Sequence, residues 1–245
     1  MTIREFINNP MGKGDASIPN RKELAESLDM KYQRLIRNKG NSIRMVIYKS
    51  NNKTDDIYYH LVIPSETERT NSYDVVFKFS DTKKEHKNEL SVANYDIAVF
   101  SNSPSFAYTF AHVYMENGLF VNSLKRKLDK DIVKKEPEIR NKYGIVNYEK
   151  YVYFGARFII DSKKMNRAFL DTSAVKYSQE VLNSRIRSLE VILAEYRRAA
   201  TKLTHKKKQE SKRQMQGKSV IPKSSIGKEI KKKTPKRKMG KIKKL

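Results

Sequence analysis

The positive charge of this chain is concentrated at its C-terminal end, and this limits which residues can form a folded core. Residues 202–245 contain eighteen Lys and Arg residues and two acidic residues, a net charge of +16, which leaves +9 of the chain's +25 for residues 1–201. Such a segment has too little apolar side chain to offset the conformational entropy that folding costs. The pattern therefore predicts a folded body followed by a disordered Lys/Arg-rich tail over 205–245.

The tail has the charge pattern of a segment that binds a polyanion. Phosphates of DNA or RNA would relieve its self-repulsion, and each contact adds affinity by releasing condensed counterions. No base-reading motif accompanies the tail, so we expect binding that does not depend on nucleotide sequence. The residues expected to contact phosphates are Lys206, Lys207, Lys208, Lys212, Arg213, Lys231, Lys232, Lys233, Lys236, Arg237, Lys238, Lys241, Lys243 and Lys244.

Other roles for the tail remain open at this point. An acidic protein partner would also neutralise it, and a basic end can serve only as a charge feature that aids solubility. An anionic membrane is disfavoured, because Ile226, Ile230 and Ile242 are too sparse to insert an apolar face.

The composition argues against several classes of function. The chain has no Cys, hence no disulfide, no cysteine zinc site and no thiol nucleophile. No apolar run reaches the length of a transmembrane helix, and the first residues do not resemble a signal peptide. The four histidines lack the spacing of a metal site. We therefore expect no metal, no cofactor and no membrane partner, and a protein made and used in the cytoplasm.

Composition and periodicity divide the chain into four regions. The turn-forming residues of the N-terminal stretch predict an irregular arm over 1–19. The body is predicted over 20–175, a long amphipathic helix over 176–204, and the disordered tail over 205–245.

The body begins with a predicted helix. Asn20 provides an N-cap, Glu23 completes a capping box, and Gly40 ends the helix. Its apolar face consists of Leu24, Leu28, Tyr32, Leu35 and Ile36.

Four stretches have the residue types and the alternation of β-strands: 43–49, 57–63, 73–79 and 94–100. In the third, apolar Tyr73, Val75, Phe77 and Phe79 alternate with Asp74 and Lys78. Short connections between the strands favour an antiparallel meander. Together with the helices, this predicts an α+β fold built on a four-stranded antiparallel sheet.

Helical signals return after the fourth strand. Ser103 is expected to cap a helix with Pro104 at its first position and Gly118 just beyond its end. A second short helix is predicted over 119–128. Residues 147–160 fit either a helix capped by Asn147 or a strand, and the spacing of the apolar residues favours the helix.

The predicted long helix carries apolar residues that step alternately by four and three. This seam consists of Leu182, Ile186, Leu189, Leu193, Tyr196, Ala200 and Leu203. Such spacing is typical of a coiled coil that mediates self-association or docks a partner helix. It is equally typical of an amphipathic helix that lies on its own domain, which is the commoner case for only about three repeats.

Two weaker chemical patterns occur in the body. Asp74, with Glu85 and Lys87 as an E-x-K sequence, resembles a magnesium-dependent nuclease site, although such triplets arise readily by chance in a highly charged chain. The numerous aromatic residues could stack on nucleic-acid bases. Because they fall mostly at inward-facing periods, core packing is the better interpretation.

Three blocks resemble sequence from bacteriophages: FINNPMGKGDASIPNRKEL, NYDIAVFSNSPSFAYTFAHVY and NKYGIVNYEKYVYFGARF. They are spread over residues 5–160 and resemble uncharacterised bacteriophage-encoded proteins. The resemblance implies a role in the virion or in handling the genome, within the host cytoplasm or the particle. It assigns a function to no individual residue.

The sequence therefore favours a non-enzymatic protein that binds nucleic acid through a basic C-terminal arm. The alternative is a structural component of a phage particle (head, neck or tail) whose arm contacts neighbouring subunits or packaged DNA. A magnesium-dependent nuclease is the third hypothesis.

Overall fold

The computed structural model describes residues 1–8, 21–50, 56–66, 71–82, 84–86, 89–128, 149–177 and 179–217. The chain separates into two units, Met1–Ala200 and Thr201–Leu245. The first unit contains all the strands and the apolar core of the described chain.

The described α-helices lie before, between and after the strands. They are α1 (Ile3–Asn8), α2 (Arg21–Lys39), α3 (Ala111–Glu116), α4 (Lys150–Asp161), α5 (Arg167–Ser173), α6 (Gln179–Arg185) and α7 (Leu189–Gly217). Short 3₁₀-helices occupy Gly40–Ser42, Val92–Asn94 and Asn122–Lys127, and a π-helical segment, Phe106–Phe110, leads into α3. No helix of the described residues combines the length and the apolar character that crossing a bilayer demands.

The strands form one sheet. They are β1 (Arg44–Ser50), β2 (Ile57–Pro64), β3 (Ser72–Ser80), β4 (Asp96–Ser101) and β5 (Val175–Tyr177), in the order β4-β3-β2-β1-β5. The first four pair antiparallel in sequence order, and the short β5 pairs parallel with β1. The predicted α+β class and four-stranded antiparallel meander are confirmed. The added β5 was not predicted, because a three-residue strand leaves almost no periodic signal.

Helix α4 covers one face of the sheet at close range. A Cβ atom on Gly155 would lie 2.9 Å from Cε2 of Phe77 and 3.3 Å from Cγ1 of Val75. Only glycine therefore lets the helix backbone approach this far without a shift of its neighbours. Helix α2 packs on α4 through the rings of Tyr32 and Phe154, whose centroids are 6.0 Å apart.

The other face of the sheet is covered by segments that follow β4. Phe100 packs edge-on against Phe106, at 6.3 Å between ring centroids, and against Phe120, at 6.0 Å. The connection between α6 and α7 reaches the same face through Arg187. Both faces of β3 are therefore buried, including the polar residue Asp74, which is only 2% exposed.

Several helix predictions are confirmed. Tyr32, Leu28 and Leu35 of α2 are buried, and the helix ends at the residue before Gly40. Ser103 Oγ accepts a hydrogen bond from the Phe106 amide at 3.0 Å. Gly118 follows α3 with a φ of +68°, the left-handed conformation that favours glycine.

Helix α4 resolves the ambiguity at 147–160 in favour of the helix. Its N-cap is Glu149, whose Oε2 accepts a hydrogen bond from the Val152 amide at 2.6 Å. The predicted cap, Asn147, lies outside the described residues, as do Asn20 and most of the loop before α4.

The prediction of an irregular arm over 1–19 is wrong for its first eight residues. Thr2 and Glu5 form a capping box, with their backbone amides bonded to each other's side chains at 2.8 and 3.2 Å. Ile3 and Phe6 of α1 are fully buried. The rest of the predicted arm, 9–20, lies outside the described residues.

The single long helix predicted over 176–204 is two helices. The chain leaves helical geometry at Ile186–Ser188, where Arg187 turns to the sheet and Ser188 begins α7 by accepting a hydrogen bond from the Val191 amide at 3.4 Å. Helix α7 then continues to Gly217, beyond the predicted start of the disordered tail at residue 205. Lys, Arg, Gln, Glu and Met are strong helix formers, and no Gly or Pro interrupts the run before Gly217.

Candidate functional site

The basic segment starts on α7. Of the predicted phosphate-binding residues, Lys206, Lys207, Lys208, Lys212 and Arg213 lie on this helix, and the side chain of Lys208 is exposed. The remaining nine, from Lys231 to Lys244, lie outside the described residues.

The positive charges on α7 surround the helix. At about 100° per residue, Lys202, Lys206 and Arg213 share one side, whereas Lys208 and Lys212 lie on the other. Residues 201–205 and 208–211 are all exposed. A helix that is basic all round has no apolar face to insert into a membrane, and it suits contacts with a highly charged polymer.

The carboxylate of Asp74 is a buried charge of the first unit, since its residue is only 2% exposed. Its Oδ1 lies 2.9 Å from Nε2 of His60. Its Oδ2 accepts hydrogen bonds from Nδ2 of Asn102 at 2.8 Å and from Nε of Arg187 at 2.9 Å. Because a carboxylate only accepts hydrogen bonds, His60 Nε2 carries a proton in this contact.

These contacts keep Asp74 ionised. Burial alone would raise the pKa of Asp74, but the hydrogen bond from His60 and the charge of Arg187 outweigh it and lower the pKa below its ordinary value. A buried carboxylate is otherwise costly, so the network is required for the fold to bury this residue.

Arg187 connects this carboxylate to helix α7. Besides Asp74, its guanidinium donates to the Ser72 carbonyl at 2.8 Å and lies 3.3 Å from Oε2 of Glu195. Tyr196 on the same helix packs 6.4 Å from the ring of Tyr73. These contacts place the first turns of α7 against the end of β3.

A second buried acid lies beside the first network. Glu149 is fully buried, and its Oε1 accepts a hydrogen bond from Ser103 Oγ at 2.9 Å. Burial raises the pKa of Glu149 to about 7, against the opposing hydrogen bonds from Val152 and Ser103. The segment Ser101–Ser103 joins the two networks, since Asn102 binds Asp74 and Ser103 binds Glu149.

The nuclease pattern is not assembled in the described chain. The hydrogen-bonding positions of Asp74 are occupied by protein groups, and no cluster of described acidic and histidine residues has the composition of a metal site. Strand β3 ends at Ser80, about 20 Å along the strand from Asp74, and Glu85 lies in the loop that follows this end. The amide of the next residue, His86, donates to Asp81 Oδ2 at 3.1 Å and keeps the loop there. Lys87 lies outside the described residues.

Three of the seven residues of the predicted seam belong to the core of their own chain. Leu182, Ile186 and Leu189 are at most 2% exposed, whereas Leu203 is 60% exposed. Leu193 and Tyr196 are partly buried against the same core. The structure therefore corrects the seam: its first three residues are buried in the core of their own chain and are not available to a partner helix.

Most aromatic residues are core residues, as predicted. Tyr59, Phe77, Phe79 and Phe106 are fully buried, whereas Tyr108 is 50% exposed. Sequence reasoning did not find His60, Asn102 or Arg187 as partners of Asp74. The one available signal was a charged residue on a strand otherwise rich in Val, Phe and Tyr, which indicates a buried carboxylate that needs partners.

Comparisons of the chain with protein family models, with curated proteins and with solved structures found no match.

Replacing Arg187 with Gln should lower the free energy of unfolding by about 2–4 kcal/mol, because it leaves the Asp74 carboxylate buried without its ionic partner. This is slightly below the range for fully buried pairs, since the Arg187 side chain is 28% exposed. The change is measured by urea unfolding at neutral pH. Glu195→Gln is the matched control, because it removes only the exposed partner of Arg187 and should cost less than about 1 kcal/mol. Equal losses in the two variants would contradict a structural role for the Asp74 pair.

Glu149 should make the protein less stable as the pH rises. The folded state keeps a proton to about pH 7, whereas the unfolded chain releases it near the ordinary pKa of 4.5. The stabilisation is therefore complete below the lower value and is lost as the pH rises through the higher one. Glu149→Gln, which mimics the protonated acid, should gain about 2–3 kcal/mol relative to the unmodified protein between about pH 5 and about pH 8.

The measurement is urea unfolding across that pH range, with Glu85→Gln as a control that removes an exposed acid. A difference between Glu149→Gln and the unmodified protein that does not change with pH would show that Glu149 titrates normally.

Proposed function

We propose that the protein is a non-enzymatic, sequence-independent nucleic-acid-binding protein that holds DNA or RNA through phosphate contacts from the basic segment 202–245. The observation that carries the proposal is the segregation of charge, with eighteen basic and two acidic residues in this segment. Its mechanism is electrostatic, since each lysine or arginine that meets a phosphate displaces a condensed counterion.

The described part of the segment supports this proposal. Residues 202–217 carry six basic residues and one acid on a helix about 24 Å long. Duplex DNA has one negative charge per about 1.7 Å of its axis. The exposed side chains of α7 at 201–205 and 208–211 can therefore contact phosphates without reading any base.

The difference in composition between the two units also supports the proposed nucleic-acid binding. The first unit is built around an aromatic core and two buried acid networks, and it supplies the start of α7. The second unit has few apolar residues and supplies charge. In this proposal the first unit forms the folded body, and the basic segment supplies the affinity.

The alternative, that the protein is a structural component of a phage particle, has less support than nucleic-acid binding. It depends on the resemblance to phage-encoded sequence and on the predicted seam. Burial of Leu182, Ile186 and Leu189 within the same chain removes three of the seven seam residues from any docking surface. Mass spectrometry of purified particles would detect the protein if it is a virion component.

The proposal predicts that the protein binds duplex DNA of arbitrary sequence and that the logarithm of affinity falls linearly with the logarithm of salt concentration. Replacing five basic residues of α7 with Gln should reduce the magnitude of this salt slope by as much as about 4–5, because each lost phosphate contact changes it by about 0.9. The replaced residues are Lys206, Lys207, Lys208, Lys212 and Arg213. Fluorescence anisotropy at several salt concentrations measures the slope.

The matched control removes the same charge from the exposed surface of the first unit: Gln at Arg4, Arg34, Arg37, Lys125 and Arg126. This variant should change the slope by less than about 1. Truncation after Gly217 separates the contribution of α7 from that of residues 218–245. The proposal is contradicted if the control variant loses as much slope as the α7 variant, or if the full chain does not bind DNA at moderate salt.

A further inference from the structure

A pocket of about 370 Å³ opens beside the Asp74 network. Its floor is the sheet face that carries Arg44, Val46 and Tyr48 of β1 and His60 and Val62 of β2. Arg185 and Arg187, at the end of α6 and in the turn after it, form the opposite side. We call this cavity the arginine pocket. Its volume falls within the range of small-molecule sites.

Strand register explains why these residues converge. Arg44 pairs with Val62, and Val62 pairs with Asp74, so the three lie in one row across β1, β2 and β3. Neighbouring strands are about 4.8 Å apart, and side chains in one row point to the same face. Arg44 and Asp74 therefore flank an apolar Val62, with Arg187 held over Asp74 by the 2.9 Å contact.

The charges that line the pocket are not balanced. Asp74 is its one acidic lining residue among those described, and Arg187 already pairs with it. Within the described chain, the side chains of Arg44 and Arg185 have neither a hydrogen-bond nor an ion-pair partner, and both are exposed. Two guanidinium groups thus remain to bind an anion.

The donors suit a phosphate better than a simple carboxylate. Two arginines offer two planar pairs of N–H donors, and a phosphate monoester, with three acceptor oxygens and close to two negative charges, can engage both, whereas a carboxylate has two oxygens and one charge. The partly exposed, apolar Val46 and Val62 form a surface beside them on which a base or sugar can lie. A ligand with one phosphate and one flat or apolar part would use both features.

We propose that the arginine pocket binds the phosphate group of a nucleotide or of a phosphorylated nucleic-acid end, with Arg44 and Arg185 as its ligands. This site lies in the first unit and needs no residue of the basic segment. It goes beyond the proposed function, because sequence-independent contacts along a backbone do not require a pocket.

The test uses the full chain and three probes: inorganic phosphate, adenosine monophosphate with adenosine as its uncharged control, and one oligonucleotide with and without a 5′-phosphate. Isothermal titration calorimetry measures the affinities. The protein has only four histidines, so the ring NMR signals of His60 report occupancy of the pocket directly. Adenosine monophosphate or inorganic phosphate should shift these signals, and adenosine should not.

The variant Arg44→Gln/Arg185→Gln should bind adenosine monophosphate at least about tenfold more weakly, because two charge-assisted contacts are lost. Arg34→Gln/Arg37→Gln is the matched control: it removes two exposed arginines from α2, which packs on the other side of the sheet, and should change the affinity less than about twofold.

The protein is compared on the oligonucleotide with and without its 5′-phosphate. If it binds the phosphorylated form more tightly and the pocket variant loses this preference, the source of the phosphate is a nucleic-acid end. Binding of adenosine monophosphate without that preference would identify a free nucleotide. The proposal is overturned if no phosphate probe shifts the His60 signals, or if the pocket variant binds adenosine monophosphate like the control. Either result leaves the salt dependence assigned to α7 unaffected, so the two proposals fail independently.

Discussion

The pairing of Asp74 with Arg187 is the interaction on which the arrangement of this molecule most depends. The two residues are separated by 113 positions in the chain and meet at 2.9 Å. A carboxylate that is 2% exposed is tolerated only if its oxygens are hydrogen-bonded and its charge is balanced. His60 from β2, Asn102 from the end of β4 and Arg187 from the turn before α7 meet these needs, so one side chain fixes three segments against β3.

This network also determines where the last helix begins. Arg187 can reach Asp74 only if the chain leaves helical geometry between α6 and α7, and Ser188 then caps the new helix. Helix α7 therefore starts at a position fixed by the buried charge. The same turn brings Arg185 to one side of the arginine pocket. A stabilising contact and a proposed binding site thus share the same chain segment.

The sequence predicted the parts of the fold that depend on local patterns. Alternation in 73–79 and in its neighbours located the four antiparallel strands, and Ser103 and Gly118 marked the ends of a helix. Helix α1 also had a local signal, the Thr2–Glu5 capping box, which the nearby Pro and Gly residues obscured. The extension of α7 to Gly217 followed from helix propensity, whereas the prediction of disorder weighed only the lack of apolar surface.

Features that depend on distant contacts could not be predicted in this way. The four-three spacing of apolar residues continues through Ile186 and Leu189, so it gives no sign that the helix breaks between them. Asp74 was identified as chemically unusual, but no spacing in the chain links it to His60, Asn102 or Arg187. The arginine pocket could not be predicted either. Its residues are brought together by the register of β1, β2 and β3 and by a turn that lies more than a hundred residues after these strands.

The central claim is that the basic segment 202–245, and not the folded first unit, contacts the nucleic acid. Hydrogen–deuterium exchange of the full chain, with and without a duplex of arbitrary sequence, tests it most directly, because exchange reports contact residue by residue. The account predicts slower exchange within residues 201–245 and unchanged exchange in the central strands. Protection confined to the first unit, or no protection anywhere when the duplex is in excess at moderate salt, would contradict it.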